Sequence, residues 1–153
     1  MKIRFVSLIA SAFAFAAFAA HAETTLSVAA TAVPHAEILE QVKPVLAKEG
    51  ITLKVKVFTD YVQPNVQVAE KKIDVNFFQH KPYLDEFNKN KGTNLVPVAA
   101  VHVEPYGAYS KKVTKVADLA KGAIIAIPND PSNGGRALVL LEQNGLIKLK
   151  DSS

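Results

Sequence analysis

Residues 74–84, DVNFFQHKPYL, place Phe77, Phe78, His80 and Tyr83 within seven positions, with Pro82 just before the tyrosine. Rings at this density either fill a core or wall a pocket for a small ligand. Side chains on a strand alternate between faces, so Phe77 and Phe78 cannot both enter one core. The pattern assigns Phe77 to packing and Phe78, His80 and Tyr83 to a cleft. Ligands of open α/β sheets sit at the carboxyl ends of strands, and Phe78 to His80 fall at such an end. Pro82 then opens a helix whose first turn presents Tyr83. Packing of all the rings between sheet and helix is the alternative outcome of the same pattern.

A second stretch, IPNDPSNGGRALVLLEQNG at 127–145, reads as a strand end, a loop rich in Asn, Pro and Gly, and a helix with Arg136 in its first turn. Free backbone N–H groups and the positive end of a helix dipole make such a junction an anion site. Gly134 and Gly135 allow close approach to the backbone, and the Arg136 guanidinium can hold a carboxylate with two parallel hydrogen bonds. A helix capped by Ser132 or Asn133, with a solvated arginine, accounts for the same residues.

No GxxxxGK[ST], GxGxxG or GxSxG occurs, which argues against a nucleotide-phosphate loop and a nucleophile elbow. The histidines at 21, 35, 80 and 102 lack HxH or HxxxH spacing, so no metal site is expected. His35 and His80 each follow an expected strand, and strand ends could still bring histidines together. No catalytic residue, cofactor or enzymatic activity is expected.

The elements that must carry these residues alternate. Strands are expected at 25–30, 51–58, 73–78, 95–103 and 123–128, and helices at 34–48, 64–72, 81–91, 116–120 and 136–144. Pro44 should kink or break the first helix near Glu40. Residues 51–58 alternate apolar with Thr and Lys, the mark of an edge strand or one with a solvated face. Pro97 counts against a central position for 95–103. The alternation argues an α/β fold with a parallel, doubly wound sheet.

The chain opens with Lys2 and Arg4, an apolar stretch from Val6 to Ala20, and Ala20-His21-Ala22, the pattern of a cleavable secretory signal over 1–22. Removing two positive charges from the formal +4 leaves +2 on 153 − 22 = 131 residues. The remaining lysines are interspersed with acidic residues, so no nucleic-acid partner is expected. With no cysteine there is neither a disulfide nor a lipid-modified residue at the cleavage site. A periplasmic protein without a lipid anchor is the expectation.

Taken together and in order, VPHAEILE, FTDYVQPN, FFQHKPYLDEF, YSKKV and ADLAKGAIIAIPNDPSNGGRALVLLEQNGLIKLKD resemble the NlpA/MetQ family of periplasmic substrate-binding proteins over about residues 25–151. Members deliver D- or L-methionine to an ABC importer. The resemblance implies a periplasmic-binding-protein-like fold of the second type, two lobes closing on an amino acid. Residues 23–108 would form the first lobe and 109–153 the start of the second. It also implies that Tyr61, Phe78, His80 and Tyr83 wall the side-chain pocket, and that Arg136, helped by Asn133, takes the α-carboxylate. A thioether against aromatic edges gains about 0.3 to 1.5 kcal/mol per contact, which suits methionine. The implied partners are the importer's permease and ATPase, met by a monomer. A same-fold protein for another small anion, such as a sulfonate, is the second reading; a hydrolytic or metal-dependent enzyme is the third.

Family members are longer, and IKLKDSS ends after one strand and one helix of the second lobe. The chain is therefore expected to be a truncated product with impaired methionine affinity. Ile125, Ile127, Leu138, Leu140 and Leu141 are expected to lack the rest of their sheet and stay exposed.

Overall fold

The computed structural model describes residues 24–150, so the expected signal peptide lies outside the described residues. Strand β1, Thr24–Thr31, pairs in parallel with β2, Ile51–Phe58, on one side and with β3, Val75–Phe77, on the other. The order is β2-β1-β3. The central strand carries no charged residue, and Val28, Ala29 and Ala30 are buried in it. On β2 only Leu53 is buried, and Lys54 and Lys56 on the opposite face are exposed, as its alternating sequence requires of an edge; Val57, on the Leu53 face, is exposed near the strand's end. The parallel α/β architecture agrees with the sequence reading.

The connections follow from local signals. Helix α1 spans Glu37–Lys48, α2 spans Gln63–Ala69, α3 spans Lys81–Lys91 and α4 spans Pro131–Gln143. Helix α3 has the expected limits, with Pro82 in its first turn and Gly92 closing it at φ 66°. Asp60 starts α2 by accepting hydrogen bonds from the backbone N–H groups of Val62 and Gln63, both at 2.8 Å. Helix α2 ends three residues before the expected limit, where Lys71 takes φ 58°. Helix α1 begins at Glu37 rather than Pro34 because Ala32–Ala36 forms a separate π-helical segment, with Val33 extended, before it. Pro44 does not break it: the helix continues through Pro44, and Glu40, whose carbonyl loses its partner, is exposed on the surface.

Two expected strands do not form. Residues 95–103 and 123–128 have no regular structure, and Val103 and Ile124 are 93% and 99% exposed. A strand exists only when paired. Pro97 removes one ladder donor, and no neighbouring strand among the described residues receives either segment. The expected helix 116–120 is a single 3-10 turn, Val116–Asp118. The expected exposure holds for Ile125, Ile127 and Leu138; Leu140 is half-buried and Leu141 is buried. Leu141 departs from expectation because α4 packs on α3, with Ala137 and Leu141, one turn apart, as its inward face.

Three amides bind α2 to the end of β3. Asn65, fully buried, donates from Nδ2 to Gln79 Oε1 at 2.8 Å, and its Oδ1 accepts from Asn76 Nδ2 at 2.8 Å and Gln79 Nε2 at 2.7 Å. Both partners are parts of the segment that leads to Phe78 and His80, so this amide cluster sets where those rings start. Asn65→Ala removes a hydrogen-bond partner from the half-buried amides of Asn76 and Gln79. We expect it to lower stability by about 1 to 3 kcal/mol, read as a lower urea midpoint with an unchanged denaturant slope.

Candidate functional site

His80 is the residue around which the site is arranged. It is the N-cap of α3, and its Nδ1 accepts the Tyr83 N–H at 3.3 Å. A nitrogen that accepts carries no proton, so Nε2 bears the hydrogen and donates to Asn133 Oδ1 at 2.7 Å. One imidazole therefore orders the start of α3 and joins it to α4, 53 residues later in the chain.

On one side of His80 lie the rings. Tyr61, Phe78 and Tyr83 meet edge to face, with centroids 5.5 Å apart for Tyr61–Phe78, 5.8 Å for Tyr61–Tyr83 and 6.0 Å for Phe78–Tyr83. The Tyr83 hydroxyl donates to the Tyr61 carbonyl at 2.9 Å. Phe78 and Tyr83 are buried and Tyr61 is exposed. Alternation does separate Phe77 from Phe78, but burial runs opposite to the sequence assignment. Phe78, just past the end of β3, is 5% exposed, while Phe77 is half-buried against His35 and His102. The strand ends one residue earlier than expected, and the turn directs Phe78 inward.

On the other side lies α4. Its N-cap is Asp130, whose Oδ1 accepts the Asn133 N–H at 2.8 Å. The expected caps Ser132 and Asn133 are therefore inside the helix, and Arg136 stands in its second turn. The signal was present in the sequence, since Asp130 followed by Pro131 is a cap followed by a first-turn proline. The helix start thus holds its own carboxylate rather than an open anion cradle. Gly134 serves packing, since a Cβ there would meet the Pro128 carbonyl at 3.0 Å, whereas Gly135 faces open space.

Asn133 is buried and its amide is fully engaged. Oδ1 accepts from His80 and from Arg136 Nη1, the latter at 3.1 Å, and Nδ2 donates to both Asp130 oxygens at 3.2 Å. The guanidinium of Arg136 lies 4.5 Å from the centroid of the Tyr106 ring, and the Tyr106 hydroxyl donates to the Asn133 carbonyl at 3.0 Å. Tyr106, which the sequence reading did not single out, is thus the platform for Arg136. Both line a cavity of about 330 Å³ with Val139, Leu140 and Gln143. Among the described residues the Nη1 bond to Asn133 is the guanidinium's one hydrogen bond, which leaves its other donors available to a carboxylate.

The structure therefore brings all six expected site residues into one connected set: Tyr61, Phe78 and Tyr83 through ring contacts, and His80, Asn133 and Arg136 through hydrogen bonds. His35 joins His102 and Glu104 instead of His80.

A parallel α/β sheet with an aromatic wall at its carboxyl edge, joined to an arginine by way of His80 and Asn133, is the class of fold found in periplasmic binding proteins. The sequence profile of the NlpA lipoprotein family matches residues 26–153, and the chain belongs to that family. It is 48% identical over 141 residues to an outer membrane lipoprotein of Mannheimia haemolytica, covering 90% of this chain and 50% of the relative. It is 49% identical over 123 residues to the methionine-binding lipoprotein MetQ of Bacillus subtilis, covering 80% of this chain and 45% of the relative. Among solved structures, a nutrient-binding protein of Burkholderia cenocepacia bound to methionine superposes with a TM-score of 0.78 at 44% identity, covering 84% of this chain and 54% of that one. The chain spans about half the length of the relatives it matches.

Desolvation, partial at Tyr61 and fuller at the buried Tyr83, raises both hydroxyl pKa values above 10.0, with nearby carboxylates adding to it: Glu104 and Asp130 at Tyr61, Asp130, Asp60 and Glu86 at Tyr83. The folded protein holds these protons more tightly than the unfolded chain does. Their contribution to stability is complete below pH 10 and is lost as pH climbs through the raised values. Urea unfolding at a series of alkaline pH values should show this decline, and Tyr83→Phe should make it shallower.

Proposed function

We propose that the chain is the methionine-recognising part of a periplasmic substrate-binding component of an ABC importer, acting as a binding protein without catalysis. In this reading residues 23–108 are the first lobe and 109–153 the beginning of the second, and the ligand lies between them. The thioether side chain packs against the rings of Tyr61, Phe78, His80 and Tyr83, and Arg136 takes the α-carboxylate. Asn133 acts through Arg136: it anchors Nη1 and so aims the remaining donors. The permease and ATPase of the importer are the partners, the location is the periplasm, and the binding protein acts as a monomer.

The observation that carries the proposal is the methionine-bound Burkholderia structure, at 44% identity, together with the joining of an aromatic wall to a carboxylate-competent arginine in this chain. A thioether gains from aromatic edges, and a planar guanidinium suits a carboxylate better than a point charge does. Relatives carrying lipoprotein names agree with an extracytoplasmic role.

The second reading, a small sulfonate ligand, rests on the same arginine and is separable by calorimetry. The purified chain, and a chimera continuing it with the C-terminal half of the Bacillus subtilis relative, are titrated with amino acids and alkyl sulfonates. Methionine should be preferred to every sulfonate. Arg136→Ala should weaken methionine binding by roughly 10- to 150-fold, the worth of a hydrogen bond to a charged group, and Arg136→Lys should not restore it. Preference for a sulfonate over methionine in the chimera would defeat the proposal.

A further inference from the structure

Away from the aromatic wall, a side chain just past β1 meets two from a segment about 70 residues later, beside the carboxyl ends of β1 and β3. His35, four residues past the end of β1, is 6% exposed, and its Nδ1 lies 2.7 Å from Thr31 Oγ1. Its other nitrogen, Nε2, is 3.6 Å from Glu104 Oε1. The same carboxylate oxygen is 2.9 Å from His102 Nε2. Both imidazoles stand edge-on to the Phe77 ring, with centroids 4.7 Å and 5.6 Å from it. One ligand atom from each of the three residues lies within 4.8 Å of the other two.

We propose that His35, His102 and Glu104 bind a divalent transition-metal ion, with zinc the best match to this set. Two imidazole nitrogens and one carboxylate oxygen are ligands that zinc accepts, with a fourth position left for water or an outside donor. Metal–ligand bonds of about 2.1 Å in a tetrahedron put ligand atoms roughly 3.4 Å apart. The His35–Glu104 spacing of 3.6 Å already meets that, His102 has to move back by about half an ångström from Glu104 as the metal replaces their hydrogen bond, and the two imidazole nitrogens, within 4.8 Å of each other, have to settle at the same spacing. Thr31 supplies the outer partner: it accepts from His35 Nδ1–H, which presents Nε2 to the ion as a free lone pair.

The ion would tie residues 102–104, which belong to no helix or strand, to the end of the central strand. His102 and Glu104 are exposed, so the ion has a path from solvent. The site is separate from Arg136 and does not depend on the methionine reading.

The test is titration of the metal-free full chain with zinc chloride, by calorimetry and by competition with a chromophoric chelator. One zinc per chain is expected. His102→Ala and Glu104→Gln, both at exposed positions outside the core, should each weaken zinc binding at least tenfold, on the order of what metal-site changes cost, with an unchanged circular dichroism spectrum. Thr31→Val should weaken it as well, through the orientation of His35. Absence of zinc binding by the unaltered chain, or a loss of less than about tenfold in both His102→Ala and Glu104→Gln, overturns the assignment.

Discussion

The hydrogen bond from His80 Nε2 to Asn133 Oδ1, at 2.7 Å, is the contact on which the site's geometry depends. Its strength is ordinary, about 1 kcal/mol net. Its consequence is larger because both ends are committed elsewhere. His80 can donate from Nε2 only while Nδ1 accepts the Tyr83 N–H, so capping α3 selects the tautomer that reaches α4. Asn133 can receive it only because Asp130 holds the amide from the other side. The bond is thus a relay between two helix starts, and it places the ring cluster and Arg136 within one rigid set.

That arrangement assigns different duties to residues that look alike in a linear reading. Asn133 and Arg136, three apart on one helix face, could both serve as ligands of an anion. The buried amide has no capacity left, however, while the arginine spends one donor on it and rests on Tyr106. A buried polar group must be satisfied, and the protein satisfies Asn133 internally. The arginine keeps its remaining donors because it is exposed. The same rule explains the Asn65, Asn76 and Gln79 cluster: the buried Asn65 amide is satisfied by two half-buried amides, and in doing so the three fix the path of the chain from β3 toward His80.

Legibility in the sequence followed the range of the interactions. The strands 51–58 and 25–30 and the helix 81–91 were readable because periodicity, a first-turn proline and a closing glycine are local signals. The start of α4 was readable too, in Asp130-Pro131, but the Asn- and Gly-rich loop after it drew the expected boundary toward Arg136. Residues 95–103 and 123–128 have strand composition without a strand among the described residues to pair with, and pairing cannot be read from composition. Periodicity separated Phe77 from Phe78 correctly and assigned their burial the wrong way round, since a one-residue difference in where β3 ends reverses which ring turns inward.

The sequence alone determined the chemistry available to this protein: a dense set of rings ahead of α3, an arginine near a helix start, a parallel α/β order, and membership of a family of binding proteins. Only the tertiary structure decided which of those groups meet. His80 reaches Asn133 across 53 positions, Tyr106 slides under Arg136 from a segment without regular structure, and His35, His102 and Glu104 gather around one carboxylate oxygen. The physical reason is the same in each case. Side-chain type and short-range hydrogen bonding are written locally, whereas convergence depends on where three parallel strands end and which way the chain turns after them.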